Sequence, residues 1–233
     1  PSKGLIYPED NPLSSGKIEM KYMTAKEEDI LSNQNYIKDG TVIDRLLKSL
    51  IVSKINYNDL IVGDKNAILI AARVLGYGKD YAFEYKGEEV TVDLSLLDNK
   101  EIDESNFKKG VNEFSYKLSS TDDNITFKIL THGDETKITE ELKGLKRVNK
   151  KSSHDITTRL KHMVTSINGD NSQQNIRNFI DTSFLARDAR EFRKYVYSFQ
   201  PDINMRVSVE TSEGEDDIEL PISLTFFWPD SGV

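Results

Sequence analysis

The sequence predicts an α+β fold, with an N-terminal helical unit, several antiparallel β-hairpins and a C-terminal aromatic hairpin. Three observations carry this reading. Residues 24–78 hold apolar side chains at helical spacing; beyond residue 80, short alternating stretches come in pairs separated by turn residues; and residues 219–230, "ELPISLTFFWPD", place apolar residues at every second position. Chain ends fray unless tied down, so the aromatic end is either a last strand closing a core or a surface made for a partner.

Composition bounds the rest. At 233 residues and 37% hydrophobic content, the chain is long enough for one large domain or two modest ones. Ten Phe and ten Tyr argue for folding in spite of 30% charged residues and a mean hydropathy of -0.53. A net charge of -8 repels a phosphate backbone, which argues against nucleic acid as a partner. The absence of cysteine excludes disulfides, thiolate zinc sites, iron–sulfur clusters and a cysteine nucleophile. No stretch approaches the roughly 20 apolar residues that span a bilayer, and the first residues lack a signal-peptide core, so the expectation is an intracellular chain with no membrane partner.

Four segments are expected: an extended arm over 1–16, a strand, helices and first hairpin over 17–97, a middle hairpin, linker and helix over 98–175, and a C-terminal helix with closing hairpin over 176–233. The first carries three of the six prolines, a composition for an arm ordered by a partner. "KIEMKYMT" alternates Ile18, Met20 and Tyr22 with Lys17, Glu19 and Lys21, which predicts a strand. Thr24 followed by Glu27 has capping-box spacing and opens a helix to about Asn33. "TVIDRLLKSLIV" gives a wide apolar face through Val42, Leu46 and Leu50, with Ile43, Leu47 and Ile51 beside it. Asp64 is read as the cap of the next helix, which carries Ile68, Ala71, Ala72 and Leu75 and ends at Gly76 or Gly78.

Tyr81, Phe83 and Tyr85 then alternate, "KG" turns the chain, and Val90, Val92 and Leu94 alternate on the return. "NEFSYKLSS" and "NITFKILTH" pair across "TDDN". A short helix is expected over residues 134–143, another through Ile156, Leu160, Met163, Val164 and Ile167, and a stronger one through "TSFLARDAREFRKYVYSF", stopped by Pro201. Met205, Val207 and Val209 alternate, "SEGEDD" turns, and Ile218, Leu220, Ile222, Leu224, Phe226 and Trp228 return on one face.

Familiar chemical motifs are missing. His132, His154 and His162 have no metal-pair spacing and read as ordinary surface or helix residues. "GYGKDY" has Tyr81 where a dinucleotide loop needs its third glycine, and it leads from helix into strand, the reverse of that loop's context. "DETKITEE" and "EGEDD" lack calcium-loop spacing and read as solvated turns, and "KGLKRVNKKSS" as a basic linker. No cofactor is expected. "RDAREFR" puts Arg187, Asp188, Arg190, Glu191 and Arg193 on the helix that carries the aromatic stripe, with Arg187 and Glu191 spaced for an ion pair and a polar face left for partners.

The ordered blocks "MTAKEEDIL", "GTVIDRLLKSLI", "GDKNAILIAARVLGYGKDY", "ARDAREFRKYV" and "LTFFWP" resemble the T4-like phage baseplate family, which includes baseplate hub subunits and hub-assembly proteins of contractile-tailed viruses. The likeness spans residues 17–230 and is least distinctive over 98–175. It implies a non-enzymatic structural or assembly protein that contacts other baseplate or tail proteins in a hetero-oligomer. Its setting would be the host cytoplasm during assembly, and the virion baseplate if it is a permanent component. Within it, Met23, Thr24, Glu27, Asp29 and Ile30, and Phe226, Phe227, Trp228 and Pro229, are the structural or interface positions, with Phe226 and Trp228 inward and Phe227 outward by strand alternation. A transient assembly chaperone is the near alternative; a hydrolase with a site built from distant side chains is the alternative of another class.

Overall fold

The computed structural model describes residues 1–148, 154–222 and 224–227, and among them eight α-helices and seven strands form an α+β fold. The helical unit holds α1 (Ala25–Leu31), α2 (Gln34–Lys38), α3 (Val42–Leu50) and α4 (Val62–Tyr77). Leu46, Leu47 and Leu50 of α3 are buried, as their spacing requires, and share one core with Ile68, Leu69 and Ala72 of α4. Asn33, expected at the end of the first helix, instead caps α2, its side chain accepting from the backbone of Asn35 and Tyr36.

Residues 1–16 depart from the expected arm. Ile6, Tyr7 and Leu13 are buried, and the Tyr7 hydroxyl donates to Asp64 at 2.7 Å while accepting from the Ile61 backbone at 3.1 Å. Three apolar side chains in a proline-broken stretch are enough to fold it back onto α4. Gly4 makes the turn possible: it has φ 78, and a Cβ there would lie 2.4 Å from the Ser14 carbonyl oxygen. Asp64 is consequently not a helix cap. It sits in the first turn of α4 and accepts from the Ser2 backbone and hydroxyl as well as from Tyr7. The strand expected at residue 17 is also corrected, since only a single bridge forms there, Met20 to Ile51, flanked by the Lys21–Leu50 and Val52–Glu19 backbone bonds.

The first hairpin is β1 (Asp80–Tyr85) with β2 (Glu88–Asp93), turned by Lys86 and Gly87, both at positive φ. In the middle, β3 (Phe114–Lys117) pairs with β4 (Asn124–Phe127), and β4 pairs in turn with β5 (Val164–Ile167). The third strand corrects the expected helix through Ile167: α6 (Asp155–Met163) stops where "VTSI", rich in β-branched residues, finds an open strand edge. α5 (His132–Val148) is longer than expected, and α7 (Gln173–Thr182) begins inside "NGDNSQQN", which reads as a break; its buried Ile176 and Ile180 are four apart.

α8 (Ala186–Phe199) lays Phe192, Tyr195 and Phe199 on the middle sheet, with ring centroids 5.2 Å from Phe127 to Phe192 and 4.6 Å from Phe114 to Phe199. The third hairpin is β6 (Arg206–Thr211) with β7 (Gly214–Glu219), shorter than expected. After Pro221 the chain forms a 3-10 turn over Leu224–Phe227 rather than a closing strand. A turn of three residues sends neighbouring side chains about 120° apart instead of to opposite faces, so Phe226 and Phe227 are both fully buried, their rings 5.2 Å apart. The outward assignment of Phe227 is thereby overturned. Trp228 and Pro229 lie outside the described residues.

Candidate interaction surface

Several residues of the blocks that carry the resemblance are buried in the molecule. Met23 lies against Gly76 of α4, where an added Cβ would meet its side chain at 3.1 Å. Glu27 is fully buried: one carboxylate oxygen accepts from the Thr24 backbone and hydroxyl, the other from Lys21 at 2.7 Å and Ser49 at 2.8 Å. Burial alone would raise its pKa, but these donors outweigh it and hold the carboxyl at about 2. Thr24 and Asp29 are exposed, and Ile30 is half-buried against the core. Arg73, also buried, donates to the carbonyls of Gly78 at 2.8 Å and Asp80 at 3.1 Å. Tyr81 continues this assembly, donating its hydroxyl to the Pro221 carbonyl at 2.9 Å while Phe226 meets its ring edge-on at 4.9 Å.

The constellation on α8 is divided by the helix. Asp188 turns inward, and its Oδ1 accepts from the Ser119 hydroxyl and the Ser120 backbone, both at 3.1 Å. Arg187 pairs with Glu191 at 3.2 Å, as the spacing predicts. Arg190, Arg193 and Lys194 are exposed and have no carboxylate partner among the described residues. Tyr197 closes the stripe at 69% exposure, with the Lys100 ammonium 4.3 Å over its ring and donating to its carbonyl. Burial lowers the Lys100 pKa, against the opposing field of Asp202. On a chain of net charge -8, this is a concentrated cationic and aromatic surface on a helix whose other side is locked by stacked rings.

One cluster had no local signal in the sequence. Asp44 of α3 accepts from Lys65 of α4 at 2.6 Å and from the Tyr57 hydroxyl at 3.0 Å, and lies 3.7 Å from Nε2 of His132, at the start of α5. His132 is thus a helix residue, one of the two readings expected for it, but a buried one, and it packs against the Tyr57 ring at 4.7 Å. Burial lowers its pKa, while Asp44 pulls the other way and Lys65 reinforces the drop. The Asp44 carboxylate is already engaged by Lys65 and Tyr57, and among the described residues no serine hydroxyl bonds to His132, so this is not the arrangement of an acyl-transfer triad.

Among the described residues, no three His, Asp or Glu side chains gather as a metal-ligand set, and no helix is long and apolar enough to cross a membrane. Comparison with protein-family models, curated proteins and solved structures finds no match to this chain.

Proposed function

We propose that this chain is a non-enzymatic structural component of a contractile phage tail baseplate, in its hub region, working through contacts with other baseplate or tail proteins. The observation that carries the reading is the outer face of α8, where Arg190, Arg193 and Lys194 stand exposed without carboxylate partners among the described residues. The helix backbone beneath this face is already ordered, so a partner that covers it has only the side chains left to order. The resemblance of the sequence blocks to the baseplate family supplies the setting. Glu27, Arg73, Tyr81 and Phe226, which belong to those blocks, are spent on joining α1 to α3, α4 to the first hairpin, and that hairpin to the Leu224–Phe227 turn, which suits a protein whose output is a surface.

Copy counting by quantitative mass spectrometry, on purified mature particles and on infected-cell lysate, tests the proposal. A fixed copy number in particles is the expected result. Abundance in lysate with absence from particles would reassign the chain as a transient assembly chaperone. Absence from particles and from every complex with tail proteins would overturn the reading.

A further inference from the structure

α8 leads directly into the β6–β7 hairpin, and the two expose opposite charge. Along α8, Arg187, Arg190, Lys194 and Tyr197 recur at intervals of three, four and three, an exposed stripe about 15 Å long. Arg190 and Lys194 are one turn apart with like charge, an arrangement that a helix resists when nothing neutralises it.

Strand alternation divides the hairpin in the same way. Val207, Val209 and Ile218 face inward, while Ser208, Glu210, Glu215 and Asp217 are exposed on the other side. Glu210 sits directly opposite Glu215 in the register, and neither these two nor Asp217 has an ion-pair partner among the described residues. Like charges directly across a strand pair are destabilising, so the hairpin carries an acidic strain that matches the cationic one on α8. Its outer face along β7, from Glu215 to Glu219, runs about 13 Å, close to the length of the α8 stripe.

The two surfaces approach each other at one end. Tyr197, the last residue of the α8 stripe, lines the same cleft as Arg206 and Glu219, the cross-strand pair at the base of the acidic face. Among the described residues no ion pair joins the two surfaces within one chain. A second copy turned about a two-fold axis brings each onto its opposite.

We propose that two copies of this chain form a reciprocal dimer, each laying the cationic face of α8 on the acidic face of the other's β6–β7 hairpin. The inference rests on reading the outer face of α8 as a contact surface; it makes a second copy of this chain the occupant of that face, so that the chain meets other baseplate or tail proteins as a dimer. Charge complementarity at this contact sets register and makes the dimer sensitive to salt.

Sedimentation velocity of the full chain tests it. The wild type is expected to be a dimer at about 0.1 M salt and to weaken at least about tenfold at about 0.6 M. Arg190→Glu with Lys194→Glu, and separately Glu215→Lys with Asp217→Lys, are each expected to leave a monomer that keeps its thermal transition. Mixing the two variants is expected to restore a species of two chains, one of each kind, because both contacts are then complementary again. A wild type that is monomeric at low salt, variants that still dimerise, a mixture that stays monomeric, or growth beyond two chains would each overturn the proposal. Particle copy counting is independent of this measurement, so loss of the baseplate reading and loss of the dimer are separately visible.

Discussion

The Tyr81 hydroxyl donates to the Pro221 carbonyl at 2.9 Å, joining positions 140 residues apart, while Phe226 closes on the same ring from the side. The start of the first hairpin and the segment that carries Pro221 and Phe226 therefore form one unit. Tyr81→Phe keeps the ring and removes the donor to the Pro221 carbonyl. The expected loss is about 1 kcal/mol, read from the urea midpoint of the free protein.

Phe227→Ala now carries an expectation opposite to the one that strand alternation implies. The side chain is fully buried beside Phe226, so truncation opens a cavity, with an expected cost of about 3–5 kcal/mol in the isolated chain. Thermal unfolding checks this, and a loss under about 0.5 kcal/mol would return Phe227 to the surface.

Glu27 makes stability depend on acid. Its folded pKa of about 2 lies below the ordinary 4.5, so the unfolded chain takes up the proton first. The contribution is complete above 4.5 and is lost as pH falls toward 2. Glu27→Gln is expected to cost about 1–3 kcal/mol at neutral pH and to flatten the stability profile across that window. An unchanged slope between wild type and variant would remove Glu27 from the acid response.

His132 titrates in a higher window. Burial holds its folded pKa below 6.5, so folding favours the neutral ring, and its contribution is complete above 6.5 and declines as pH falls below it. Asp44, Tyr57, Lys65, Lys48 and Glu135 surround the ring; the Asp44 carboxyl is held below its ordinary value, chiefly by Lys65 against the effect of burial, and does not contribute in this window. His132→Gln is expected to remove the decline below pH 6.5. Nuclear magnetic resonance titration of the ring gives a direct check, and a midpoint above 6.5 would contradict the burial argument.

Much of the fold is legible in local pattern. The apolar faces of α3 and α8, the first hairpin and its Lys86–Gly87 turn follow from spacing, because amphipathic period and turn residues act over a few positions. The misreadings share one cause. "VTSI" continues a helical pattern until β4 offers it an edge, and "LTFF" alternates like a strand until Pro221 and the core draw both phenylalanines inward. Residues 1–16 look like an arm because composition weighs prolines more heavily than Ile6, Tyr7 and Leu13.

The candidate surface divides along the same line. That Arg187, Arg190 and Glu191 belong to one amphipathic helix is decided by local sequence, since positions three and four apart on a helix must share a face. Which of its charges are free is decided by tertiary structure: Asp188 is taken inward by Ser119 and Ser120, Glu191 is held by Ser119 and Arg187, and Arg190 and Lys194 are left outward. The Asp44–His132 cluster and the shared cleft at Tyr197 and Glu219 depend wholly on chain segments that meet through folding. Composition set the acidity and the absence of thiol chemistry, which need no geometry; the placement of each unpaired charge needed the packed core, because burial and partners are properties of neighbours in space.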